Sequence, residues 1–577
     1  MPDETVIECL IEVPMKISRV LISFLVAWAP ALWAASPEAT YANQGIVASR
    51  SVPASQVGVD IMRQGGNAVD AAVATAFALA VTYPSAGNIG GGGFAVIRLP
   101  DGEVVALDHR EKAPAAAHRD MYLDENGEPV PGLSTSSHKA SGVPGSVDGL
   151  LVMLDKYGTM NRKQVLAPAI KLAKEGFPLD HDLARQFKRR LPSMAKYPAS
   201  VAVFTRDDGE HYEVGDVWRQ PDLAKTLERI AAKGRDGFYK GKTAELIVAE
   251  MERGGGIITL QDLEDYHSVW REPVKGTYRG YEIYGMPPPS SGGILVQQIL
   301  NMLEPYDLGA LGWGNSETIH LMIEAERRAY ADRAEYLGDP DYYEVPAKIL
   351  TSKDYARQRF ASFDENKATP SEEVGAGTWG SESLETTHFS VYKDGMMVAF
   401  TTTINSGYGN KIVVPGAGFL LNNEMDDFSI KENTPNQFNV IGRAANAIEP
   451  GKRMLSSMSP TVVTKDGEPF LITGSPGGST IITTTLQVIL NTIDHEMPID
   501  DAVSLPRFHH QWKPNRIYYD GYAFSPDTLE ALKQKGHQSF VKSRFGRGIG
   551  DANSILIKEG VISGSSDPRG AGAAIGY

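Results

Sequence analysis

A layered α/β architecture is the fold this sequence predicts. Three observations carry the prediction. One helix is apolar on nearly every side. Two pairs of strand-like runs are joined by Asp-Gly turns. Helical and strand-like segments alternate along the whole chain of 577 residues, which is the pattern of stacked sheets and helices around a shared core.

The elements follow in order. Gly65-Gly66-Asn67 opens the first helix, with Asn67 as its N-cap and Ala68 to Ala80 apolar around the full circumference, so this helix is expected inside a large core. Gly87-Asn88-Ile89-Gly90-Gly91-Gly92-Gly93-Phe94 has the look of a nucleotide loop. No Gly-Lys-Ser/Thr follows, however, and the segment leads into a strand, Phe94 to Leu99, the reverse of the dinucleotide order. A second long helix is expected from about Glu317 to Leu337, with Glu324 and Arg328 as an i,i+4 pair and Gly338 and Pro340 as its stop. His320, on that helix, reads as structural. Residues 362–385 are polar, Gly-rich and aperiodic, hence a loop. They give way abruptly to strand sequence at Thr386. A second hairpin is expected from Thr461–Thr464 and Phe470–Thr473 around Asp466-Gly467, followed by Gly474 to Gly478 and a helix from near Ser479. No internal repeat is visible.

Composition bounds the function. The chain is 42% apolar and 22% charged, ordinary for a large globular core, and carries 56 Lys+Arg against 71 Asp+Glu for a net charge of −15. So acidic a chain is ill suited to nucleic acid or anionic lipid. Its one cysteine, Cys9, excludes a disulfide framework, a Cys-based zinc site and a catalytic Cys in the folded body. Lys16 and Arg19 precede an apolar run from Val20 to Trp33, followed by Ala34, Ala35 and Ser36. That is the pattern of an export signal, with cleavage near Ala34–Ser36 or just before Asn43. Pro30 and the shortness of the run argue against a membrane span. Residues 1–42 are therefore expected to be a targeting segment, with Met15 as the natural start, and export to a periplasm or the cell exterior is expected, with no stable membrane association.

The strand-like runs Thr386–Val391 and Met397–Ile404 flank Asp394-Gly395, the strongest short-range hairpin signal. If Asp394 and Gly395 are the turn residues, Thr386 lies opposite Thr403, with Cβ atoms about 5 Å apart. Thr–Thr pairs also occur for stability alone. A Thr386 that became a new N-terminus would carry its own base, the α-amino group. Gly477-Gly478 lies between a strand and a helix N-terminus. It is either a tight turn or a place where free N–H groups hold an oxyanion, each such donor being worth about 3 kcal/mol in a transition state. Leu421 to Phe428 holds Glu424, Asp426 and Asp427 with no His or Cys at metal-ligand spacing. Ser456 and Ser457 taken alone read as loop, and His509-His510 as structural. No Gly-x-Ser-x-Gly elbow occurs, against a serine enzyme of the α/β-hydrolase type.

Several motifs together resemble γ-glutamyltransferases (γ-glutamyltranspeptidases), in order, from about Ile46 to Tyr577. They are Gly66-Asn67-Ala68-Val69-Asp70, Asp108-His109-Arg110-Glu111, Gly142-Val143-Pro144-Gly145-Ser146, Met286-Pro287-Pro288-Pro289-Ser290-Ser291-Gly292-Gly293, Thr386-Thr387-His388-Phe389-Ser390, Leu421 to Phe428, Leu455 to Pro460, and Thr473 to Ser479. The resemblance implies an N-terminal nucleophile hydrolase with a four-layer αββα sandwich. It implies a precursor that cleaves itself between Glu385 and Thr386 into a large subunit (43–385) and a small catalytic subunit (386–577), which stay together as a heterodimer. Thr386 would be the nucleophile, Thr403 its hydrogen-bond partner, and Gly477 and Gly478 the oxyanion hole. Arg110, Ser456 and Ser457 would hold a substrate α-carboxylate, and Asn405, Glu424 and Asp427 its α-ammonium. The substrates implied are glutathione and related γ-glutamyl compounds, with water or an amino acid or peptide as acceptor; no metal or organic cofactor is implied. One departure concerns Pro435-Asn436-Gln437-Phe438, which resembles the family's site-covering loop but has Phe438 where relatives often have Tyr. The rivals are a cephalosporin or glutaryl-amide acylase on the same scaffold, a poly-γ-glutamate depolymerase with an open cleft, and an uncleaved binding protein.

Overall fold

The Asn67 cap is made as the sequence leads one to expect. Its side chain accepts from the N–H groups of Val69 and Asp70, and Asp70 returns a bond to Asn67 N, a capping box that starts helix α1 (Ala68–Thr82). All fifteen of its residues are buried. The molecule is described by a computed structural model covering residues 36–375, 386–431, 444–543 and 549–577. After α1 come strand β1 (Gly92–Arg98), helix α2 (Ser316–Tyr336), strands β2 (Thr386–Lys393), β3 (Met396–Thr403), β4 (Thr461–Lys465) and β5 (Glu468–Thr473), and helix α3 (Thr480–Ile493).

Two seven-stranded sheets form the centre, every pairing in them antiparallel. One runs Ala573–Gly576, Gly45–Ser49, β2, β3, β1, Val104–Asp108, Val269–Arg271. The other runs Thr40–Ala42, Val561–Ser566, Asn553–Lys558, β5, β4, Tyr281–Gly285, Val274–Tyr278. The period of two along each strand sorts the side chains into separate cores. Met397 and Ala399 of β3 meet Val462 and Ile472 of the opposite sheet, while Val398 and Phe400 turn to the core that holds α1. On the second sheet, Val463 and Leu471 turn outward to the core of α2 and α3. Helix, sheet, sheet and helix thus form the four layers that the resemblance implies, within one compact unit, residues 38–577.

The hairpin register is the one expected. Asp394 and Gly395 both adopt positive φ, 49° and 80°, the requirement of a type I′ turn. The ladder then runs from Lys393↔Met396 to Thr386↔Thr403. The second hairpin repeats the device at Asp466 and Gly467, with a register shift after Val463. Residues 362–375 form no helix and only an isolated bridge. Residues 376–385, and with them Glu385, lie outside the described residues, as do Phe438, its loop (432–443) and residues 1–35 of the targeting segment. Among the described residues no helix is long and apolar enough to cross a membrane.

Candidate active site

Thr386 begins β2 and Thr403 ends β3, both buried on the side of their sheet that faces the other sheet. Their Oγ1 atoms are 3.5 Å apart, at the outer limit of hydrogen bonding. Thr403 Oγ1 also accepts the Asn405 N–H at 2.8 Å. Asn405 has a φ of 67°, a conformation that Asn tolerates better than most residues. Its Nδ2 donates to Asn423 O at 2.8 Å, which ties the end of β3 to the acidic segment.

The glycine run before β1 has a packing reason. A Cβ at Gly91 would lie 2.0 Å from Thr403 O, one at Gly93 2.2 Å from Thr401 O, and one at Gly92 2.5 Å from Glu111 Oε2. These glycines let the neighbouring backbones close around the nucleophile strands.

Arg110, fully buried, donates through Nη1 to Glu424 Oε1 and through Nη2 to Asp427 Oδ2 at 2.6 Å. Its Nε bonds Met454 O at 3.2 Å. The resemblance puts Arg110 on one end of a substrate and Glu424 and Asp427 on the other; the structure joins all three in one ion-paired cluster. Asp426 belongs elsewhere, accepting from Ser134 Oγ at 2.5 Å. Glu111 sits 3.6 Å behind Arg110, and burial pushes its carboxyl up to about 7 against the opposing pull of Arg110.

Gly477 and Gly478 both have positive φ, 131° and 62°. A Cβ on Gly477 would lie 2.4 Å from Thr480 Oγ1. Their carbonyls accept from the first turn of α3, Gly477 O from Thr480 and Gly478 O from Ile481. Among the described residues neither glycine N–H has a hydrogen-bond partner, and such donors at a helix start are ready for an anion.

Eight of the ten expected residues line one small cavity: Thr386, Thr403, Asn405, Arg110, Glu424, Asp427, Ser456 and Gly478, with Met458 and Ile481 as apolar wall. Ser457 and Gly477 stand just outside that lining. A larger cavity of about 280 Å³, bordered by Arg327, Asn515 and His537, contains none of these groups. The chemistry, not the volume, marks the site.

Among the described residues no histidine lines the small cavity. His388, two residues after Thr386, bonds Thr401 Oγ1 at 2.9 Å and Ser390 Oγ at 3.1 Å, and burial lowers its pKa to about 3. His509 is likewise buried and lowered to about 4, by burial. His320, Glu324 and His537 cluster with ligand atoms within 4.8 Å. However, His320 Nδ1 meets His537 Nε2 at 2.9 Å, and Glu324 accepts from both Arg327 and Arg328. These donors and acceptors are spent on one another. Sequence reasoning missed Glu111, although it lies in a quoted motif, and missed the bracing of the serine turn. Ser291 N and Oγ each donate to Ser456 O at 2.7 Å, and Ser290 Oγ donates to Met458 O at 2.6 Å.

A family model described as gamma-glutamyltranspeptidase matches residues 54–577. A glutathione hydrolase proenzyme of Escherichia coli (strain K12) is 50% identical over 532 residues, 92% of this chain and 91% of that one. Among solved structures, cephalosporin acylase from Bacillus halodurans superposes with a TM-score of 0.84 at 29% identity, covering 95% of this chain and 98% of that one. A Helicobacter pylori gamma-glutamyltranspeptidase chain is 49% identical with a TM-score of 0.56, covering 56% of this chain and 93% of its own. The chain belongs to the gamma-glutamyltranspeptidase family and is an enzyme of the N-terminal nucleophile hydrolase fold.

Proposed function

We propose that this chain is an exported proenzyme that cleaves itself between Glu385 and Thr386 and then hydrolyses or transfers the γ-glutamyl group of glutathione and related amides. One observation carries the reading: a strand-initial threonine, Thr386, lines the same small cavity as Gly478 of the Gly477-Gly478 turn and the carboxylates Glu424 and Asp427. The large subunit ends at 385 and the small subunit is 386–577; a start at 43 would remove Thr40–Ala42, a strand of a central sheet, which favours signal cleavage near Ala34–Ser36 over cleavage just before Asn43.

Thr386 Oγ attacks the γ-carbonyl and forms an ester. Its proton passes to the freed α-amino group of Thr386, which then protonates the leaving amine. The α-amino group is the base because the nearest histidine in sequence, His388, is spent on Thr401 and Ser390. Gly477 and Gly478 N–H groups hold the oxyanion, worth about 3 kcal/mol per donor. Thr403 orients the Thr386 hydroxyl. Water or an acceptor amine, deprotonated by the same α-amino group, then attacks the ester, and Thr386 Oγ leaves with the proton. Glu424, Asp427 and Asn405 take the substrate's α-ammonium; Arg110, Ser456 and Ser457 take its α-carboxylate.

The test is a denaturing gel of the protein beside Thr386→Ala, with a γ-glutamyl anilide assay of both. Two bands with anilide release, against one band and no release in the variant, are expected. One uncleaved, inactive wild-type band would overturn the reading. Two bands without γ-glutamyl activity would point to the acylase, a reading kept open by the likeness to the Bacillus halodurans structure. Export is tested by N-terminal sequencing of protein recovered outside the cytoplasm; an intact residue 1 or 15 there would refute a cleaved signal.

A further inference from the structure

Behind the serine turn lies a buried arginine. Arg333 sits in the last turn of α2 and is 3% exposed. Its Nε donates to Ser291 Oγ at 2.8 Å, and its Nη2 donates to Ser457 Oγ at 3.1 Å. A guanidinium has donors only, so both hydroxyl oxygens must accept from it. Ser291 in turn gives its own proton to Ser456 O at 2.7 Å. Arg333 therefore grips the turn twice, once at the Ser457 side chain and once, through Ser291, at the Ser456 backbone.

The consequence concerns proton direction. Ser457 Oγ is already an acceptor, from Arg333. Ser456 Oγ is already an acceptor too, from the Met458 N–H at 3.1 Å. Each hydroxyl keeps its hydrogen to give away, and a donor hydroxyl polarised from behind by a cation is what an anionic ligand needs. Arg110 alone is a poor carboxylate receptor, because its two Nη atoms are shared with Glu424 and Asp427. A buried guanidinium is costly unless its hydrogen bonds are well made, and two of those of Arg333 hold this turn.

We propose that Arg333 is a positioning residue of the substrate-carboxylate subsite, fixing Ser456 and Ser457 as proton donors toward that carboxylate. The proposal rests on the reading above that the serine pair receives the α-carboxylate. It extends that reading to a residue that reaches the ligand only through the serine turn.

Two anilides separate the possibilities. The γ-glutamyl anilide has both the carboxylate and the ammonium; the 4-aminobutyryl anilide has the ammonium alone. Arg333→Met should raise KM for the first by about tenfold, the size of one lost charge-assisted hydrogen bond. It should leave kcat within about threefold and kcat/KM for the second within about twofold. Arg333→Lys should restore part of the loss. Equal losses on both substrates, or none on either, would overturn the proposal. If Arg333→Met does not mature into two bands, Ser291→Ala decides, since it keeps the cation and loosens its grip: a KM rise confined to the γ-glutamyl anilide supports the proposal, and no such rise overturns it. A wild-type enzyme with no preference between the anilides would overturn the carboxylate subsite itself, and this inference with it.

Discussion

Two buried polar clusters in this molecule use the same residue types to opposite ends. On α2, Glu324 is held between Arg327 and Arg328, and His320 is held between His537 and the Asp364 carbonyl. At the mouth of the two sheets, Arg110 is held between Glu424 and Asp427, but the same site has glycine N–H groups that lack partners among the described residues and serine hydroxyls with protons to give. Both clusters have the composition of a site. Their difference lies in what they leave unsatisfied. A cluster that closes on itself contributes to folding, because its charges are compensated within the protein. One that holds donors open toward a cavity incurs a desolvation cost that a ligand recovers. The comparison also explains why His320, Glu324 and His537, at metal-ligand distances, read as structure.

Breaking the open cluster should have the largest effect. Gly477→Ala forces a side chain into a φ of 131° and against Thr480 Oγ1, which turns the N–H away from its aim. We expect kcat to fall at least about a hundredfold, the usual cost of one lost oxyanion donor, with self-cleavage slowed in parallel. Wild-type turnover in this variant would remove Gly477 from the oxyanion hole. Breaking the closed cluster should do the reverse. Glu324→Gln leaves two buried guanidinium groups uncompensated and should cost about 3 kcal/mol of stability, read as a lowered midpoint in thermal or urea unfolding. The protein that remains folded should keep its kcat/KM. A changed KM with unchanged stability would show that the α2 cluster is not self-contained.

The parts of this comparison that rest on local chemistry were legible in the sequence. Asp394-Gly395 demands a type I′ turn, that turn sets the register, and the register pairs Thr386 with Thr403. Asn67 announces its helix for the same reason: its capping bonds reach only three residues ahead. Relations that span hundreds of residues were not legible from residue chemistry. Nothing near Arg110 says that it will bind Glu424, 314 positions away. Nothing near Gly91 says that its missing Cβ is required by Thr403 O. The motif resemblance supplied the names of the site residues, yet it separated Arg110 from the acids that the structure pairs with it. Arg333 carried no signal at all, since its partners Ser291 and Ser457 come from two other segments, 42 and 124 positions away.

A smaller effect sharpens the open cluster from within. Asp427→Asn keeps the shape and removes one charge, while Arg110 retains Glu424. KM for a γ-glutamyl anilide should rise roughly ten- to a hundredfold, as expected for a lost charged hydrogen bond, with kcat falling less. The stability loss should be smaller than that of Glu324→Gln, because one carboxylate still faces the guanidinium. If the ranking of the two stability losses is inverted, the open cluster is the more structural of the pair.

The smallest effect is a matter of pH. Glu111 ordinarily titrates near 4.5, and in the fold burial moves it up to about 7, with Arg110 pulling the other way. The folded chain thus holds this proton more tightly than the unfolded chain does. Stability from this group is complete below about 4.5 and is lost progressively as pH rises through 7, because the unfolded state has already released the proton. Glu111→Gln is neutral at every pH, so its unfolding free energy should decline less than that of the wild type between about pH 5 and pH 8. The same charge lies beside Arg110 at the cavity wall. As it forms, the guanidinium is shared among three carboxylates instead of two, and a substrate carboxylate is held less firmly. Wild-type KM for the γ-glutamyl anilide should therefore rise a few-fold across pH 7, while Glu111→Gln stays flat. An unperturbed α-amino group titrates near 8, but protonation of the Thr386 amine acts on kcat, so the two groups separate by parameter. A KM that is flat in the wild type, or equally steep in Glu111→Gln, would show that the carboxyl behind Arg110 does not reach the ligand, and that only its charged neighbours in front do.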